Sequence, residues 1–173
     1  MKARLSLDSL NAMDLSAFVA TLGETFEHAP WVAEAAWNGR PFESADALHA
    51  AMMEVVRRAP QATQIAFLCG HPELAGREAQ TGSMTNDSKH EQASAGLGEM
   101  TGEELARMAH LNGLYRLRHG IPFIIAALHH TKAQIFDEIQ RRIDRDTTDE
   151  FDEAMTQISH ISSLRVRALL SAN

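Results

Sequence analysis

Four short stretches of this chain carry side chains able to do chemistry near neutral pH. The first is Gly70-His71-Pro72-Glu73-Leu74-Ala75-Gly76. Proline drives the residue before it out of the α region, so a segment running from Gln61 to Cys69 is expected to stop at His71. An imidazole at such a boundary, ahead of a polar loop, can project into a cleft, and its ordinary pKa of about 6.5 suits proton transfer. A polar residue that merely marks a helix end would look the same. The second stretch is Ser88-Lys89-His90-Glu91-Gln92. Residues three and four apart share a helix face, so Ser88, Glu91 and Gln92 would offer a hydroxyl, a carboxylate and an amide together. Those groups match the N–H and C=O edges of a ureido or imidazolone ligand. Ser-x-x-Glu is equally an ordinary capping box, with Ser88 opening the helix.

The third stretch, Gly120-Ile121-Pro122-Phe123-Ile124-Ile125-Ala126, is apolar and broken by proline. It reads as a buried connector between helices, or as a backbone whose amides and carbonyls face a ligand. The fourth candidate is Arg165, in a long amphipathic pattern where the solvated face is the ordinary place for arginine. Its planar guanidinium is also well shaped to hold a carboxylate through two parallel bonds. No metal centre is expected: the chain has nine histidines, but no two lie three or four apart, and His129 and His130 point to different faces of a helix. Cys69 is the sole cysteine. It reads as a small buried hydrophobe rather than a nucleophile.

These groups need elements to position them, and the signals are helical throughout. Asp14 precedes the stripe Leu15, Phe18, Val19 and Leu22, which ends at Gly23, read here as a left-handed terminator. Pro30 suits a first helical turn leading into Trp31, Val32, Ala35 and Ala36. Ser44 opens a helix carrying Leu48, Met52, Val55 and Val56, which ends before Pro60. The polar stretch from Gly76 to Asp87 has no period and reads as a loop. Thr101 and Glu104 have capping-box spacing ahead of Leu105, Met108, Leu111, Leu114, Tyr115 and Leu117, closed by Gly120. Helices from Thr131 (Ile135, Ile139, Ile143) and from Thr147 or Thr148 (Phe151, Met155, Ile158, Ile161, Leu164, Leu169) complete the chain. The expected fold is all-α: one compact helical domain spanning residues 1–173, of about seven to nine helices, with a loop near 76–87.

Composition limits the function. At 173 residues, 45% hydrophobic and 23% charged, the chain is long enough for one domain with a real core. A formal net charge of −7 argues against nucleic acid, whose phosphates call for a basic patch. One cysteine permits no internal disulfide, and the polar residues after Met-Lys-Ala-Arg form no signal-peptide core. Ser171-Ala172-Asn173 is no peroxisomal address. The longest apolar run, Ile121 to Leu128, is too short for a bilayer, so no membrane association and a cytoplasmic location are expected.

Taken together, several blocks resemble the 2-oxo-4-hydroxy-4-carboxy-5-ureidoimidazoline (OHCU) decarboxylase family. They are Phe26 to Phe42 (FEHAPWVAEAAWNGRPF), Gly70 to Gly76 (GHPELAG), Ser88 to Leu97 (SKHEQASAGL), Leu111 to Ala126 (LNGLYRLRHGIPFIIA), His130 to Ile135 (HTKAQI) and Ile161 to Arg165 (ISSLR). The resemblance runs from about Leu15 to Leu170. It implies an all-helical homodimer that needs no metal or organic cofactor. It also implies a reaction in urate breakdown, loss of CO₂ from the ureidoimidazoline followed by stereospecific protonation to (S)-allantoin. By position it makes His71 the catalytic histidine and Glu91 its acidic partner. Pro72, Ser88, Gln92, Ile121, Pro122, Phe123, Ile124, Ile125 and Arg165 become substrate-binding residues. From the residues alone, two other classes stay open: a helical scaffold that binds a small heterocycle without turning it over, and a purely structural dimerising domain.

Overall fold

The structure, a computed structural model, describes residues 5–170; what the sequence suggests for residues 1–4 and 171–173 lies outside that range. The chain divides into two compact units, one made of the residues up to Gly70 and from Ser159 onward, the other of His71–Ile158.

The first unit contains α1 (Leu7–Asn11), α2 (Leu15–Leu22), α3 (Pro30–Ala36) followed by a 3₁₀ turn at Trp37–Gly39, α4 (Ala45–Arg58), α5 (Gln61–Cys69) and the C-terminal part of α10 (Thr147–Leu169). Its starts are chemically marked. The side chains of Ser6, Asp14 and Ser44 accept from the backbone N–H groups of Ser9, Ala17 and Ala47, each such cap contributing about 1 kcal/mol. Pro30 occupies the first turn of α3 as expected. Gly23 ends α2, but not as a left-handed terminator: its φ is −62°. A Cβ there would stand 2.6 Å from the Val19 carbonyl oxygen, so close approach, not handedness, requires glycine. Leu10, Phe18, Leu22, Val32, Leu48, Met52, Val56, Leu68 and Val166 form the buried core. Leu5 N–H donates to the Leu169 carbonyl at 3.0 Å.

The second unit contains α6 (Arg77–Thr81), α7 (Asn86–Ser94), a 3₁₀ turn at Leu97–Glu99, α8 (Gly102–His119), an extended run leading to a 3₁₀ turn at Ala127–His129, α9 (Lys132–Ile143) and the first part of α10. Capping boxes open α8 (Thr101 with Glu104) and α9 (Thr131 with Gln134). Gly120 closes α8 at φ 73°, a left-handed position where a Cβ would be strained. Two expectations need correction. The stretch 76–87 is not all loop, since it holds the five residues of α6 and the start of α7. Thr85, not Ser88, caps α7, which places Ser88 inside the helix.

Ten α-helices result, eight of them of seven residues or more, and no strand occurs among the described residues. No helix among them is long and apolar enough to cross a membrane.

Candidate functional site

The site begins with an oddity of α7. Its inward face consists of Ser88, Glu91 and Gln92, all buried. Burying polar groups costs free energy unless they find partners, so a helix held only by packing would carry leucine or methionine at these positions. With Thr85 taking the capping role, Ser88-x-x-Glu91 is a shared face rather than a capping box.

Gln92 ties this face to the His71 loop. Its Oε1 accepts from the Ala75 N–H at 2.9 Å, and its Nε2 approaches the Met84 sulfur at 3.2 Å. α5 ends at Cys69, as proline ahead demands, and His71 follows half-exposed with Pro72 buried behind it. Three further contacts hold the loop. Arg116 pairs with Glu73 at 2.8 Å, the Asn112 amide donates to the Leu74 carbonyl at 3.0 Å, and Gly76 N–H closes a turn onto Glu73 at 3.1 Å. A Cβ at Gly76 would stand 2.8 Å from that of Glu73, so this turn requires glycine. Ala75 itself sits at φ 50°, in the left-handed region.

The apolar run Ile121, Pro122, Phe123, Ile124 and Ile125 is buried throughout, and the 3₁₀ turn after it packs on α7. Behind it lies an ionic cluster absent from the sequence reading. Arg142 donates to the Ile124 carbonyl at 2.9 Å and to Glu150 at 2.9 Å, with its guanidinium 4.7 Å from the Phe123 ring centroid. The Tyr115 hydroxyl donates to the same Glu150 oxygen at 2.5 Å. Burial first, and then that carboxylate, push the Tyr115 phenol above its ordinary range, so it remains a donor. Arg145 comes within 3.0 Å of the other Glu150 oxygen, which has no well-aligned hydrogen bond.

Arg165 belongs to the other unit. It is 4% exposed, which overturns the pattern-based expectation of a solvated position. Its Nη1 stands 3.7 Å from Glu27 and donates to the Thr25 carbonyl at 3.3 Å. Glu27 is buried too. It lies inside the FEHAPW block, yet spacing gave it no role. Asn112 had a clearer signal, a polar residue on the apolar stripe of Met108, Leu111 and Tyr115. Cys69 is exposed, not a buried hydrophobe. Among the described residues no group of three or more His, Cys, Asp or Glu is placed to hold a metal ion.

Fold and side chains thus define an all-helical protein with a buried polar face on α7 tied to the loop that bears His71. The OHCU decarboxylase family matches residues 11–167 of the chain. The chain is 36% identical over 166 residues to the 2-oxo-4-hydroxy-4-carboxy-5-ureidoimidazoline decarboxylase of Halalkalicoccus jeotgali, spanning 96% of this chain and 92% of that protein. It is 35% identical over 169 residues to a putative enzyme of the same name from Homo sapiens, spanning 98% of each. A crystal structure of (S)-allantoin synthase superposes with a TM-score of 0.78 at 26% identity, over 96% of this chain and 54% of that one. The chain belongs to the OHCU decarboxylase family.

Proposed function

We propose that His71 and Glu91 are the proton-transfer pair with which this carboxy-lyase converts 2-oxo-4-hydroxy-4-carboxy-5-ureidoimidazoline to (S)-allantoin. The bond between ring carbon and carboxylate breaks, CO₂ leaves, and the electron pair delocalises into the adjacent C=N bond of the substrate. The neighbouring, ureido-bearing ring carbon then takes up one proton on one face while the hydroxyl gives up its proton, so that the carbon that lost CO₂ becomes the ring carbonyl of allantoin. Because the substrate accepts its own electrons, the protein's tasks are to orient the carboxylate, manage the hydroxyl proton and shield one face. His71 handles the hydroxyl proton, with Glu91 as its acidic partner. Ser88 and Gln92 meet the ureido and ring N–H and C=O groups. Pro72 and the 121–125 run form the binding surface, and Arg165 holds substrate through its fork. The working form is a cytoplasmic homodimer.

What carries this reading is the buried polar face of α7, tied through Gln92 and Ala75 to the loop that bears His71. The test supplies freshly generated substrate and follows chiral allantoin by circular dichroism. The wild-type chain accelerates the signal. A folded His71→Asn variant loses turnover on the order of 10²-fold or more, and near-normal turnover by that variant refutes the role. A protein that shifts its melting temperature with ligand but leaves the rate unchanged is a binder, and this reading then fails.

A further inference from the structure

We infer that Asn112 is a positioning residue, working with Gln92 to clamp the corner at Leu74-Ala75 and thereby fix the imidazole of His71. The inference rests on the assignment of His71 above. Two side-chain amides reach adjacent residues of one short loop: Asn112 Nδ2 donates to the Leu74 carbonyl at 3.0 Å, and Gln92 Oε1 accepts from the Ala75 N–H at 2.9 Å. Both amides are buried and come from different helices, α8 and α7. Between these bonds Ala75 is held at φ 50°, a left-handed conformation that an alanine seldom adopts. Strain of this kind persists only where the surroundings over-determine it. Pro72 fixes the backbone on the other side of the loop, so the corner and the proline together leave His71 little freedom.

Asn112 also carries a liability. Its Oδ1 is buried without a hydrogen-bond partner in the protein. A leucine would fill this place on the stripe of α8 without that burden, so packing alone does not account for the amide. The bond to Leu74 does.

The clamp predicts coupling between Asn112 and the handedness of Ala75. Without the amide, Ala75 relaxes out of the left-handed region, and the competent loop falls to a minor population. The expected loss is about tenfold in kcat, the order of the penalty on a left-handed alanine. KM stays within about threefold, since Asn112 does not touch substrate. Glycine at position 75 adopts the same backbone without penalty. Adding Ala75→Gly to Asn112→Leu therefore restores kcat to within about threefold of the Ala75→Gly single variant. A second readout is independent of turnover: the His71 ring resonances, single and sharp in the wild type, broaden or split in Asn112→Leu and sharpen again in the double variant. Asn112→Ser takes the place of Asn112→Leu if the latter does not fold. Unchanged kcat in the Asn112 variant, no recovery on adding Ala75→Gly, or unaltered His71 resonances would each overturn the clamp. Absence of decarboxylation by the wild-type chain would instead overturn the assignment of His71, leaving the resonance test of the clamp intact.

Discussion

Arg142 and Arg165 are both buried, and each faces a buried glutamate, yet the two pairs are built differently. Arg142 has a hydrogen-bonded salt bridge to Glu150 at 2.9 Å, a backbone carbonyl as a second partner and an aromatic ring beneath it. Arg165 stands 3.7 Å from Glu27, beyond hydrogen-bond range, and reaches the Thr25 carbonyl at 3.3 Å. The first arrangement is a fastening for the 121–125 run. The second holds a guanidinium in the interior beside a carboxylate and a backbone carbonyl. A buried ion pair is thus no single kind of object, and its geometry says more than its presence.

Cutting the fastening should have the largest effect. Arg142→Met leaves Glu150 buried without its main counter-charge, and about 3–5 kcal/mol of unfolding free energy should be lost in urea titrations. Adding Glu150→Leu should return much of it, because an apolar pair of similar volume carries no desolvation penalty. A loss below about 1 kcal/mol in Arg142→Met would mean that the cluster does not hold the run. Arg165→Lys should behave in the opposite way. The charge stays, so stability changes by less than about 1 kcal/mol, but the forked geometry is lost and KM should rise about tenfold. Unfolding of this variant with an unchanged KM would invert the comparison.

The smallest effect concerns His49, which bonds to Ser162 at 2.9 Å. Burial chiefly, with Arg57 next, holds its pKa below the ordinary value, while Asp46 opposes and Arg167 assists. The folded state therefore binds fewer protons than the unfolded one. Stability should be fully present above a pH of about 6.5, the unfolded value. It should decline as pH falls from there through the folded pKa. Melting temperatures across that window should flatten in His49→Gln, and an unchanged slope would show that His49 is not responsible.

Much of this was legible in the chain. Caps at Asp14, Ser44, Thr101 and Thr131 appear where their residue types and spacing place them, because an N-cap is a local bargain between one side chain and the next turn. α10 shows where local logic fails. Its apolar residues suggest a face through Phe151, Met155, Ile158, Ile161, Leu164 and Leu169; Ile158 and Ile161 are buried, but the other four are only half-buried. The buried stripe is Glu150, Ala154, Ile158, Ile161 and Arg165, rotated so that two charged residues point inward. Hydrophobic periodicity cannot register a buried ion, whose partners lie outside the spacing of one helix face: Arg142 eight residues and Tyr115 35 residues from Glu150, and Glu27 at the other end of the chain from Arg165. For the same reason Ser88 was legible as a member of a polar face, while its alternative as a cap could be set aside only once Thr85 was seen to fill that role.

The interior face of α7 has a practical consequence for anyone seeking a more heat-tolerant variant. Ser88, Glu91 and Gln92 are where a redesign guided by apolar burial alone would first install leucine or methionine, yet at Gln92 that change would release the Ala75 N–H that its amide holds. The product of such a redesign should lose activity, and with Gln92 replaced it should lose the hold on the His71 loop as well. Thermostabilisation of this chain belongs at exposed sites away from that helix.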